Sequence, residues 1–307
     1  MAVFHSAWIV GDAGAPGNKD SGDIFPWWSF TKTVLAVAAL RLAEAGQLEL
    51  DALRPGKPYT LLQLLLHRAG VPNYATLSDY HDAVARDEDA WPRERLLDAV
   101  NADKLDFEPG TRWSYSNVGY LFVRDAIEGA ARLPLSDALR QLVLEPLGLT
   151  STRLATSRAD FAEVAWTDLR TYDPKWVYHG CLIGTASDAA RLLHSLFDRK
   201  LLKPSAVETM FERSTTLDGA VPGRPWETLS YALGLMTGST KLGRAWGHSG
   251  SGPHSANAVY HFPDLESPVT VATFTRGEVE GPAEFEAVSI AARMQESWRQ
   301  QSTKSGR

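Results

Sequence analysis

Ser29-Phe30-Thr31-Lys32 sets a hydroxyl and an amine three residues apart. On a helix that spacing puts both side chains on one face, with Cβ atoms about 5–6 Å apart. A serine hydroxyl is a weak nucleophile until a base lies within hydrogen-bond reach. Lysine can be that base only where burial or nearby positive charge lowers its pKa. Pro26-Trp27-Trp28 precedes the pair and the apolar run Val34–Leu40 follows, which predicts a dry helix start around Lys32. That start also offers free N–H groups and a positive dipole end to a developing oxyanion. Taken alone, Ser-x-x-Lys is a weak signal, so the case rests on its company.

Tyr115-Ser116-Asn117 follows a turn-rich approach, Phe107–Ser114, and opens a helical pattern. Tyr115 can act as a second acid/base if Lys32 keeps its phenol partly ionised. Asn117 can hold both Lys32 and a substrate carbonyl through its two-sided amide. An isolated Tyr-x-Asn fits equally a half-buried tyrosine and a helix cap. Gly247-His248-Ser249-Gly250-Ser251-Gly252 places three glycines around a histidine, which marks close backbone approach or simply a glycine-rich turn. His248 is expected to contact a substrate carboxylate or Tyr115. The N–H groups of Ser29 and Ser251 are expected to form an oxyanion hole. Trp28, Trp113 and Trp246 neighbour these motifs and are expected to wall an apolar pocket.

The remaining reactive types carry less. Cys181, the single cysteine, reads as a buried hydrophobe, and no disulfide is possible within the chain. His67 reads as structural, bonding a neighbouring loop, and His179 and His254 are read as candidate pocket borders with no catalytic role. His5, His81, His194 and His261 lack metal-ligand spacing, so no metal or cofactor is expected.

Elements must bring these motifs together. Residues 2–11 read as a strand, a Gly/Asp/Pro loop spans 11–23, and Ser29 opens a helix ending near Gly46. Segments 60–70, 92–102, 117–131 and 135–147 read as helices, with no strand between 47 and 184. Residues 185–201 are helical again. Strands follow at 230–236, 243–247, 255–262 and 268–275, then a helix over 282–299 and a polar tail over 300–307. Short strands with tight turns predict an antiparallel sheet.

The chain has 307 residues and a net charge of −6, which argues against nucleic acid as a partner. No basic leader is read in the first ten residues, and no window approaches the ~18 apolar residues of a membrane span. A cytoplasmic protein with no membrane partner is the expectation.

Ser29-x-x-Lys32, Tyr115-x-Asn117 and His248-Ser249-Gly250 resemble, in order and spacing, the motifs of the serine β-lactamase-like and penicillin-binding-protein-like family. The Leu61–Gly70, Glu108–Asn117, Glu145–Thr152 and Leu182–Leu193 stretches resemble family segments as well. The resemblance implies an α+β, β-lactamase/transpeptidase-like fold: an antiparallel sheet flanked by helices, built from 1–46 and 185–307, with a mostly helical lobe over 47–184. The active site would lie between the two lobes. It implies Ser29, Lys32 and Tyr115 as catalytic residues, and Asn117, His248, Ser249, Gly250 and Ser251 as substrate-binding ones. The expected substrate is a small ester or a D-amino-acid amide or peptide, and a homo-oligomer is considered. A β-lactamase, an acyltransferase using the same acyl-enzyme, and a catalytically silent binding module stay open. His248 stands where class C β-lactamases carry lysine, which argues against efficient β-lactam hydrolysis. The family usually has one more strand ahead of the nucleophile than 28 residues accommodate, so an exposed or reorganised sheet edge is expected.

Overall fold

Tight turns join the strands of the last third of the chain and close them into an antiparallel sheet. The computed structural model describes residues 3–11, 17–18, 22–198, 201–217 and 221–305. Among them the strands are β1 (Phe4–Val10), β2 (Gly17–Asn18), β3 (Phe25–Pro26), β4 (Arg153–Ala155), β5 (Cys181–Gly184), β6 (Thr215–Leu217), β7 (Thr228–Tyr231), β8 (Met236–Thr240), β9 (Gly243–Gly252), β10 (Ser255–Phe262) and β11 (Val269–Arg276). Eight of these form the main sheet, in the order β2-β1-β11-β10-β9-β8-β7-β6. The first strand closes on the last, with Phe4 opposite Thr275 and Val10 opposite Val269.

β10 and β11 are buried on both faces, as a covered central sheet requires. Alternate side chains go to different cores. Ala258, Tyr260 and Phe262 pack with Ala283, Ala287 and Val288 of the C-terminal helix Gly281–Ser305. Val259, Ala272 and Phe274 join the larger core with Ala189 and Leu193 of the helix Ala186–Ser195. The helix Thr31–Glu44 is buried from Thr31 through Leu40, so it is apolar around most of its circumference rather than along one stripe. It packs on the helix Asn117–Ala131.

Several expectations are corrected. Segment 47–184 is not free of strands: β4 and β5 join β3 in a second sheet, where Ile183 faces both Pro26 and Arg153. Strands of three and four residues are too short for periodicity to reveal. Residues 230–236 split into two strands around a turn in which Ala232 N–H donates to Leu235 O (2.7 Å), with Gly234 at φ +69°. The helix Ser78–Ala85 was not anticipated. Segment 135–147 changes pitch, from α-helix to a π turn over Arg140–Leu144 and a 3-10 turn over Glu145–Leu147. The last helix continues to Ser305 instead of ending in a polar tail. Most of the 11–23 loop, the last two residues of the tail and the last residues of the 185–201 helix other than 201 itself lie outside the described residues. Among the described residues, the sheet edge beside β1 carries only the two-residue β2.

Candidate active site

Ser29 sits in a 3-10 turn, Trp28–Phe30, that runs directly into the helix beginning at Thr31. Trp28 has φ +43°. A bulky residue in that region costs about 1–3 kcal/mol and persists only where its surroundings over-determine it. Here Trp28 Nε1 donates to Ser255 Oγ (3.2 Å), and its ring meets Tyr172 edge-on at 5.5 Å. Asn257 Nδ2 donates to Trp27 O (3.1 Å), and Trp27 N–H donates to Leu182 O (2.8 Å). The glycines of β9 make room: a Cβ at Gly250 would stand 2.6 Å from Ser29 N, and one at Gly252 2.7 Å from the Trp28 ring. The glycine-rich segment is therefore a close-approach surface against the serine turn.

Lys32 is fully buried, and its Nζ has three polar neighbours: Ser29 Oγ at 3.2 Å, Asn117 Oδ1 at 2.8 Å and His179 Nε2 at 3.1 Å. Among the described residues no carboxylate pairs with it. Burial holds its pKa well below the usual lysine value. The three N–H donors of an ammonium would serve these three neighbours, and so would the two N–H donors and lone pair of a neutral amine, the lone pair then facing the Ser29 hydroxyl.

Tyr115 OH donates to Ser29 Oγ at 2.8 Å. The segment around it is fixed at each residue. Ser116 N–H donates to His67 Nδ1 (3.1 Å), and Ser116 Oγ donates to Pro72 O (2.9 Å) while accepting the helix-capping Gly119 N–H (2.9 Å). Asn117 N–H donates to Asn73 Oδ1 (3.1 Å). Burial raises the Tyr115 pKa, so the phenol is protonated; this corrects the expectation of a partly ionised tyrosine.

His248 is 2% exposed and bonds Tyr231 OH at 3.1 Å through Nε2, while Nδ1 meets Ser249 O. Burial pushes its pKa down to about 3, so it is neutral. Its side chain is not on the cleft wall. Ser249 accepts from Arg224 Nη2 (2.8 Å), beside the Arg224–Glu284 ion pair, and also lies off the wall. Ser251 is on the wall and donates to Glu280 Oε1 at 3.0 Å. Trp28 lines the cleft, whereas Trp113 packs behind Tyr115 and against His67, and Trp246 packs against both Phe197 and Phe211.

The cleft encloses about 730 Å³ above Ser29 and Asn117, with Tyr74, Tyr80 and Tyr172 as further aromatic wall. His179 and His254 also line it. The sequence suggests both as pocket borders without a catalytic role, and nothing local in the segment of His179 flags its contact with Lys32. Burial pushes the Cys181 thiol up to about 12, consistent with an inert side chain. Among the described residues no group of three His, Cys, Asp or Glu is placed to hold a metal, and no helix is long and apolar enough to cross a membrane.

The sequence pattern of the Beta-lactamase family matches residues 1–293. Penicillin-binding protein 4* of Bacillus subtilis (strain 168) is 25% identical over 299 residues, covering 85% of this chain and 63% of that protein. The lovastatin esterase of Penicillium rubens is 24% identical over 253 residues, covering 66% of this chain and 62% of that protein. The chain thus spans a little under two thirds of the length of these relatives. The D-amino acid amidase from Ochrobactrum anthropi SV3 superposes with a TM-score of 0.73 at 20% identity, covering 89% of this chain and 87% of that one. The octameric penicillin-binding protein homologue from Pyrococcus abyssi gives 0.74 at 20% identity, covering 94% and 73%. These superpositions show a shared fold, and with the family match they establish that the chain belongs to the beta-lactamase family.

Proposed function

We propose that the protein is a serine hydrolase that cleaves small esters or D-amino-acid amides and peptides through an acyl-enzyme on Ser29. One observation carries this reading: Ser29 Oγ lies between a buried lysine amine at 3.2 Å and a tyrosine hydroxyl at 2.8 Å. As Oγ bonds to the carbonyl carbon, its proton passes to neutral Lys32. The carbonyl electron pair moves onto oxygen, where the Ser29 and Ser251 amides are the proposed donors. Collapse of the adduct breaks the bond to the leaving group, which takes a proton from the Lys32–Tyr115 pair. Water then bonds to the acyl carbon and gives a proton to that pair, and collapse of the adduct breaks the bond to Ser29 Oγ, which takes that proton back as the acid leaves.

The relatives named as an esterase and as an amidase support the two substrate classes. The aromatic wall favours apolar acyl groups, and neutral, buried His248 supplies no cation for a carboxylate, which ranks β-lactam hydrolysis lower. The cleft takes Trp28, Ser29 and Ser251 from 1–46 and 185–307, and Tyr74, Asn117 and His179 from 47–184, which supports a site between two lobes. The test is turnover of a p-nitrophenyl ester and of D-phenylalanine amide by the wild type and by Ser29→Ala. The proposal expects at least one substrate to be cleaved and the variant to lose about 10³-fold or more in kcat. Undiminished activity in the variant refutes it.

A further inference from the structure

We infer that His179 is a positioning residue for Lys32: with Asn117 it holds two of the amine's hydrogens, so that the third tetrahedral direction always points at Ser29. The inference rests on the assignment of Lys32 as the base.

The argument is one of counting. Asn117 Oδ1 can only accept. His179 Nε2, at 3.1 Å, can accept as long as the ring is neutral, and its full burial beside Lys32 keeps it so. Neutral Lys32 then gives one N–H to each and turns its lone pair to the Ser29 hydroxyl. After proton transfer the ammonium gives the same two N–H groups to the same two acceptors. Its third hydrogen occupies the direction the lone pair held, aimed at the oxygen it came from. No side chain has to rotate between the two states, so reorganisation is small. With Asn117 alone, the amine could turn about its own axis and lose that aim.

A second observation concerns the other ring nitrogen. His179 Nδ1 is buried with no hydrogen-bond partner among the described residues. Leaving a buried donor unpaired costs about 1–3 kcal/mol. The ring thus leaves its other nitrogen unsatisfied while Nε2 faces Lys32; His67 likewise spends its Nδ1 on the backbone N–H of Ser116 and leaves its Nε2 unpartnered among the described residues.

The titratable groups around Lys32 are known from each element packed on it. They are Tyr115 at 4.9 Å and Tyr120 at 5.6 Å (Nζ to ring centroid), Cys181 on β5, and His179, with His67 and His248 acting at longer range. An acceptor favours the ammonium over the amine. Removing it moves the Lys32 pKa further down, and with it the rising limb of the pH–rate profile.

The experiment compares wild type, His179→Leu, His179→Gln and Ser29→Ala on one p-nitrophenyl ester across pH, with melting temperatures for each. His179→Leu is expected to lose about 10- to 100-fold in kcat with little change in KM, and to shift its rising limb to lower pH. His179→Gln, which keeps an acceptor, recovers most of both. If His179→Leu does not fold, His179→Ala makes the same comparison. A folded Leu or Ala variant with wild-type kcat and limb overturns the inference, as does a Gln variant no better than Leu. An active Ser29→Ala variant overturns the base assignment itself, which is a separate outcome.

Discussion

Gly250 and Ser29 are in such close contact that a single methyl group would separate them: a Cβ on Gly250 would stand 2.6 Å from the Ser29 backbone nitrogen. That nitrogen belongs to the proposed oxyanion hole. Gly250→Ala is therefore expected to push β9 off the serine turn. The loss should be about 100-fold or more in kcat on an ester, because oxyanion donors act only when placed to within a fraction of an ångström. Steady-state kinetics of the folded variant checks this.

Lys32→Met tests the cost of the buried base. Lys32 has a folded pKa well below the 10.5 of the free side chain. Between those values the unfolded chain binds a proton that the folded chain does not, so stability rises with pH across that window. The variant lacks this dependence. Its melting temperature relative to wild type is expected to be most favourable near neutral pH and to fall steadily towards pH 10, while ester turnover is lost. Thermal unfolding of both proteins at pH 7, 8.5 and 10 measures the trend.

Tyr115→Phe removes one hydroxyl and leaves the ring packed on His67 at 4.3 Å. Loss of a positioned proton donor costs about 10²- to 10⁴-fold in rate. The drop should appear in kcat with little change in melting temperature, since among the described residues the phenol hydroxyl bonds Ser29 alone.

His248 has a folded pKa of about 3 against 6.5 in the free side chain. Its contribution to stability is intact above 6.5 and is lost progressively as pH falls from about 6.5 towards about 3. His67 and His179 shift in the same direction through burial. The protein should therefore lose stability from pH 7.5 to 5, and His248→Gln should weaken that slope. Urea midpoints at the two pH values report it.

How far the sequence disclosed this site depends on the range of each contact. Ser29 and Lys32 are three apart on one helical path, so their pairing is legible from spacing alone. Tyr115 and Asn117 were legible because they recur with that pair in a known order. The Lys32–His179 contact spans 147 residues and lies in an aperiodic segment, so no pattern exposes it. Trp246 sits two residues before His248 on β9, yet its ring turns to Phe197 and Phe211. Adjacency along a strand does not decide which core a ring enters. β4 and β5 stayed hidden because three or four residues are too few for any periodicity to tell a strand from a helix.

The most direct measurement is intact-mass analysis and peptide mapping after treatment with a fluorophosphonate, an electrophile that needs an activated serine. The account predicts one adduct per chain, on the peptide holding Ser29, absent from Ser29→Ala and much slower to form in Lys32→Met. No adduct on the folded wild type, or an adduct at another residue that survives in Ser29→Ala, would contradict it.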